Sequence, residues 1–253
     1  AYNNDSTAIV FDMTGVFLSD NKKMSPFDRN SIYGMYNRTE NYQSDCSYIS
    51  QIKAFKDNVS IKSCLSYTFS VSNSQGTSLI KDRPFTAEMT RSIMLLKEKP
   101  YRPRMADYRI GVFFTGREQL GEGAKTTVPV YYANRWDIQP SDTAAYLRGE
   151  KVKPTKQIVF YIDNTFPEKW KPYLREGVTQ WNELFEQIGF KDVVAAKDFP
   201  TDDPEFDPDN IKYSCVRYAP SSIENAMGPS WVDPRSGEIL NASVYLYHNV
   251  IKL

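Results

Sequence analysis

The chain has 253 residues, with 31 Lys and Arg against 31 Asp and Glu, one histidine and three cysteines. Zero net charge gives no field to gather a phosphate backbone, so nucleic acid is not an expected partner. No apolar run reaches the roughly 20 residues of a membrane span. Three cysteines are too few for a disulfide framework or a Cys-rich zinc site. A lone histidine, His248, excludes any site within this chain that needs two, the H-E-x-x-H zinc helix included.

The first half reads as β-rich. Ala8 to Phe11 and Thr14 to Leu18 are short apolar runs that predict strands, closed by the turn signal Ser19-Asp20-Asn21. Ile49 to Phe55 alternates imperfectly, and Asp57-Asn58 signals a turn. Val59, Ile61 and then Cys64 to Val71 resume alternation, with Leu65, Tyr67, Phe69 and Val71 on one face. This pattern predicts an antiparallel meander with one face packed inward. Thr90 to Lys97 is open between strand and short helix. Ile110 to Thr115 predicts a strand, and Val128 to Tyr132 an edge strand because Pro129 cannot donate to a ladder. Asn134 to Pro154 is polar and suggests a domain boundary.

After Pro154 the pattern changes. Gln157 to Asp163 predicts a strand. A helix follows over 171–188, with Pro172 in its first turn and Gly189 at its cap. Leu174, Val178, Trp181, Leu184, Phe185 and Ile188 form its apolar stripe, which assigns Trp181, like Trp170, to core packing. Lys191 to Ala196 predicts the next strand, making a parallel βαβ unit. Tyr213 to Ala219 is a third strand, 231–238 a tight turn, and Ile239 to Tyr247 a fourth strand.

Several clusters have two readings. Asp202, Asp203, Glu205, Asp207 and Asp209 suit a solvated loop or, with Pro204 and Pro208 interrupting, an irregular cation site. Cys46 and Cys64 suit a disulfide or reduced thiols, and Cys215 as a nucleophile has no motif behind it. His248 reads as a surface or interface residue. Asn4, Asn37, Asn58 and Asn241 each begin a glycosylation pattern. The chain starts without a basic or apolar leader, which reads as a signal peptide absent or removed. Its last nine residues form an apolar run without a closing turn, which reads as a cut chain.

Two segments, KQIVFYIDNTFPEKWKPYLREGVTQWNELFEQIGF and GPSWVDPRSGEILNASVYLYHNVIKL, carry a resemblance. They resemble large secreted bacterial zinc-dependent metalloproteases with a metzincin-like (matrixin-type) peptidase domain. DSTAIVFDMTGVFLSD and YRPRMADYRIGVF are similar to the uncharacterised β-rich domain that precedes it in that family. The resemblance implies an α+β fold. An antiparallel β-rich domain over 1–153 would precede the upper, mixed-sheet-plus-helix subdomain of the peptidase over 154–253. It implies peptide-bond hydrolysis, a peptide or protein substrate, zinc in the parent protein, and a secreted, periplasmic or cell-surface location. The H-E-x-x-H helix should follow the strand ending near Tyr247, so this chain itself is expected to bind no zinc and to be inactive. Ile239 to Tyr247 would be the antiparallel edge strand that pairs with substrate, with Asn241, Ser243, Tyr245 and Tyr247 lining the cleft; the alternative is an ordinary half-exposed edge. Matrixin propeptides place a zinc-blocking Cys where Met105 stands here, so Asp107 is either a substitute blocker or the partner of Arg104. Apolar surface along 244–253 and one side of the 171–188 helix would be exposed, with dimerisation as an outcome. The alternative to the peptidase reading is a non-enzymatic cell-surface binding or scaffold module.

Overall fold

The structure, a computed structural model, describes residues 5, 7–21, 24–27, 36–121 and 126–252. The chain splits into two compact units, Ala1–Met94 and Leu95–Leu253.

In the first unit, β1 (Tyr36–Ala54), β2 (Asn58–Asn73) and β3 (Ser78–Met94) form an antiparallel sheet in the order β1-β2-β3. The central place falls to β2 because it is the most apolar strand. Ile61, Leu65 and Tyr67 lie on its inner face, each 5% exposed or less. β3 carries Pro84 opposite Thr68, which only an edge strand accommodates well. Of Thr90 to Lys97, open between helix and strand in the sequence, residues 90–94 complete β3 and 95–97 lie beyond it. β1 carries an irregularity over residues 44–47, so that four residues oppose Leu65 alone. Ser47 holds it: its hydroxyl donates to the Gln43 carbonyl (2.7 Å) and accepts from the Ser66 amide (3.0 Å).

The two short strands expected before this sheet are not formed. Thr14–Phe17 is a short helix, α1, opened by Asp12, whose carboxylate accepts from the Thr14 amide (2.8 Å). That local bond offers the backbone an alternative to a ladder. Ile9, Val10 and Phe11 are exposed, and Ile9 makes only an isolated bridge. Phe17 is buried, and Arg91 holds the following segment by donating to the carbonyls of Phe17 (3.1 Å) and Met24 (2.8 Å).

In the second unit, β4 (Phe114–Gln119) and β5 (Val128–Ala133) form an antiparallel pair. Pro129 is accommodated there as expected, but β4 begins four residues later than the apolar run suggested. Ile110 and Phe113 are 61% and 87% exposed, so hydrophobicity alone did not mark a buried strand. Arg104 to Ala106 extends the pair along β5, through Ala106 N–H to Tyr131 O and Ala133 N–H to Arg104 O.

A short helix, α2 (Thr143–Leu147), was not foreseen. Asp142 caps it by accepting from the Ala145 amide (2.9 Å). Beyond it lies a six-stranded sheet of β6 (Ile158–Ile162), β7 (Val194–Asp198), β8 (Ser214–Ala219), β9 (Ala226–Met227), β10 (Ser230–Val232) and β11 (Ile239–Tyr247). The order is β10-β11-β8-β6-β7, with β9 also on β11. β7, β6, β8 and β11 are parallel; β9 and β10 run antiparallel to β11.

The helix between β6 and β7 is divided. α3 (Lys171–Thr179) and α4 (Asn182–Gln187) are joined by a tightened turn in which Glu183 and Leu184 donate to carbonyls three residues back. Thr179 bonds back to the Arg175 carbonyl (2.9 Å), a bond that bends helices. Asn182 then turns its amide onto the backbone of Val194, donating to its carbonyl and accepting from its N–H, both at 2.8 Å. Leu174, Val178 and Phe185 pack inward; Trp181, Leu184 and Ile188 do not, and are 54–60% exposed. Trp181 is therefore a surface residue, contrary to the stripe reading.

The sequence set a boundary at 153/154, but by packing residues 95–153 go with the second unit. One core cluster joins Ala145 and Val152 to Ile158, Phe190, Val193 and Val194, with Trp136, Ile138 and Tyr146 against it. The turn 233–238 seals the same seam. Arg135 N–H donates to Gly237 O, Ile239 N–H to Arg135 O, and Lys97 pairs with the buried Glu238 at 2.5 Å.

Candidate functional site

The strand expected to be a free edge is internal. Along Ser243 to Tyr247, β11 pairs with β8 on one side. On the other side β10 and β9 cover it, and the Ser243 and Tyr247 amides donate to the carbonyls of Pro229 (3.0 Å) and Asn225 (3.4 Å). The antiparallel edge of this sheet is β10 with β9, a short pair of which the sequence reading placed only Trp231 and Val232, in the 231–238 turn.

The four residues named on β11 separate accordingly. Asn241 is buried, and its amide donates to the carbonyls of Ile211 and Tyr213, both at 2.8 Å. It fixes the approach to β8 and is shut off from any cleft. Ser243, Tyr245 and Tyr247 are half-buried. Arg217 lies 5.8 Å from the Tyr245 ring, and the Tyr247 hydroxyl reaches the Met227 sulfur at 3.7 Å. The alternating face foreseen for Val244 and Leu246 is present, packed against Ile162, Phe166 and Val216. Buried Asn58 and Asn241 are poor glycan acceptors; Asn37 is exposed, and Asn4 lies outside the described residues.

The carboxyl ends of the parallel strands hold a second group of side chains. In open α/β sheets ligands gather there. His248 begins a 3₁₀ turn (His248–Lys252) directly after β11. Its Nδ1 lies 2.6 Å from the Tyr218 hydroxyl, and its ring stacks on Trp170 at 5.7 Å and 21°. Trp170 meets Tyr218 edge-on at 6.0 Å, and Phe166 lies under both. Asp163 closes the base, accepting from the Thr165 amide (2.9 Å) and hydroxyl (2.8 Å). A shallow depression is lined by Tyr218, Pro220, Ser221, Ser222, His248 and Asn249. Sequence reading missed this group because its members lie at or beyond the ends of three different strands. The common signal, an aromatic or imidazole ring just past or at a strand end, appears only once the strand order is known.

The residues present do not fit a zinc site. Among the described residues no group of three or more His, Cys, Asp or Glu is arranged to hold a metal ion. The acidic loop uses its side chains for turns: Asp203 accepts from the Glu205 amide, Asp207 from the Asp209 amide. Phe206 anchors that loop on Tyr161 and Tyr213. Asp107 pairs with Arg109, not Arg104, and the Arg109 side-chain hydrogen bond holds its carboxyl below the usual range. All three cysteines are free; Cys46 is exposed, and burial pushes the Cys215 thiol up to about 12, which leaves it protonated and unreactive at neutral pH.

Residues 1–141 match the family model described as a domain of unknown function, DUF5117. That is more than half of the chain. The chain belongs to the DUF5117 family. The DUF5117 match takes in the three-stranded sheet and the β4–β5 pair, and stops before β6. No curated protein and no solved structure matches the chain. No helix among the described residues is long and apolar enough to cross a membrane.

Proposed function

We propose that this DUF5117 chain is part of a zinc-dependent metalloendopeptidase. In this reading residues 154–253 supply the sheet that positions an extended substrate, and the zinc ligands lie outside the chain. The observation that carries it is the sheet itself. Four parallel strands, a helix between the first two, and a short antiparallel edge suit the mixed-sheet-plus-helix subdomain that the resemblance implies, although the antiparallel edge is not the strand it named. The edge is β9–β10, so the proposed substrate ladder moves from β11 to 226–232. Trp231 on β10 and Met227 on β9 are 40% and 51% exposed and would meet alternate side chains of a bound strand. Ser243, Tyr245 and Tyr247 support that edge from behind rather than contact substrate. A secreted or cell-surface location belongs to the same reading.

The test is made on the parent gene product. It should contain H-E-x-x-H and cleave an unfolded protein, and a zinc chelator should abolish that activity. The 1–253 chain alone should bind no stoichiometric zinc by calorimetry. A parent product without the motif, or chelator-insensitive cleavage, overturns the proposal.

A further inference from the structure

We infer that His248 is a positioning residue that fixes the course of the chain as it leaves β11. The catalytic consequence rests on the peptidase reading; the structural one does not. Three residues of the 3₁₀ turn are tied in succession to the end of β8 and the loop that follows it. His248 bonds Tyr218, Asn249 donates to the Ser222 carbonyl (2.9 Å), and Lys252 lies 3.8 Å from Glu224. The turn is thus laid along 218–224 in register. Asn249 and Lys252 make ordinary surface contacts, worth little alone. His248 differs because its ring is held on two sides, by a hydrogen bond at its edge and by Trp170 on its face.

Through those two contacts the exit of β11 is fastened to buried structure. Trp170 packs on Phe166, which is 2% exposed, and opens α3; Tyr218 stands opposite Leu246 in the sheet. A phenylalanine at 248 would keep the stack and lose the hydrogen-bonding nitrogen. A glutamine would keep a hydrogen-bonding group and lose the stack. Imidazole supplies both. The charged groups on the neighbouring elements include the Glu168–Lys171 pair, Lys169, and the Glu224–Lys252 pair. In the peptidase reading the segment after this turn leads to the zinc helix, so its direction sets where the metal sits relative to the β9–β10 edge.

The chain contains one histidine, so NMR of the intact 1–253 chain gives one set of imidazole signals. These should be shifted upfield by the Trp170 ring, and the shift should vanish in Trp170→Leu. Amides of 248–252 should exchange faster in His248→Ala, with His248→Phe and His248→Gln each restoring part of the protection. In the parent enzyme His248→Ala should lower kcat about tenfold or more, with KM within about twofold and zinc content unchanged. Random-coil imidazole shifts in the native chain, or unaltered amide exchange in His248→Ala, overturn the clasp. A parent product without chelator-sensitive activity overturns the peptidase reading and leaves the ring shifts and amide protection standing. Normal kcat in a His248→Ala enzyme whose amides are deprotected overturns the catalytic consequence alone.

Discussion

Two glycines show how differently one substitution can act. Gly237 sits at φ +76°, and a Cβ there would lie 2.5 Å from the Ala133 carbonyl oxygen. Neither backbone can give way, since Gly237 O accepts from Arg135 N–H in the same seam. Gly237→Ala should therefore cost about 2–4 kcal/mol, from combined strain and overpacking. Gly177 lies inside α3 with nothing within 4 Å of its missing Cβ. Gly177→Ala should stabilise by about 0.5–1 kcal/mol through helix propensity. Chemical denaturation of the two variants checks both signs. Asp233, 1% exposed in the same turn, supplies a pH prediction. The side-chain hydrogen bond from Arg235 holds its carboxyl below the usual range, against the opposing effect of burial. A depressed folded pKa means that the unfolded chain takes up the proton first. The contribution is therefore complete above the ordinary aspartate value of about 3.9 and is lost as pH falls through the lower folded value. Asp233→Asn should be less stable than the native chain at pH 7, with the gap closing on acidification below that value. Asp107 has the same shift from exposed Arg109, and Asp107→Asn should change little in the same acid titration.

At the scale of the element, the helix between β6 and β7 is the instructive case. Asn182 gives β7 the donor and acceptor that a neighbouring strand would give, at the point where the helix tightens. Asn182→Ala removes both bonds and leaves the backbone of buried Val194 unpaired on that side, at a cost of about 2–3 kcal/mol. Hydrogen exchange should locate the loss: the Val194 amide should lose protection while β8 keeps its own. If Val194 stays protected, the clamp is not what holds it. The sequence could not disclose this, because a helical stripe records spacing and not which of its residues a partner will cover. What it disclosed well were elements with a local cause. Pro172 and Gly189 marked the helix ends, Asp57-Asn58 the first hairpin, and Pro129 an edge strand. What it misplaced were elements decided by distant partners. Ile110 to Phe113 is apolar yet lies exposed ahead of β4, and β11 looked like an edge until β9 and β10 closed on it. The candidate site suffered most. Trp170, Tyr218 and His248 lie far apart in the chain and meet only because β6, β8 and β11 end side by side.

For the whole molecule the open question is where an independently folding piece begins. A polar stretch before Pro154 suggested a fragment 154–253, but the packing argues for 95–253. The cluster around Val193 and Val194 takes Ala145 and Val152 from before that cut, with Trp136, Ile138 and Tyr146 against them. A large apolar side chain is worth about 1.5–3 kcal/mol when fully buried. Val152 is buried and Trp136, Ile138 and Tyr146 partly so, and losing all four removes a large share of the stability of a domain, about 5–15 kcal/mol. The same cut strips the partners of the 233–238 turn. Glu238 would lose Lys97, Gly237 O would lose the Arg135 amide, and the bridges Pro140 to Pro154 and Val152 to Phe190 would go. Two fragments prepared in parallel decide it. Residues 95–253 should be monomeric at low concentration and unfold cooperatively. Residues 154–253 should bind a hydrophobic dye, lose near-UV dichroism and aggregate. A cooperative, dye-free 154–253 would show that the seam at 95–153 contributes contacts without being needed for the fold, and would return the boundary to the polar stretch where the sequence first placed it.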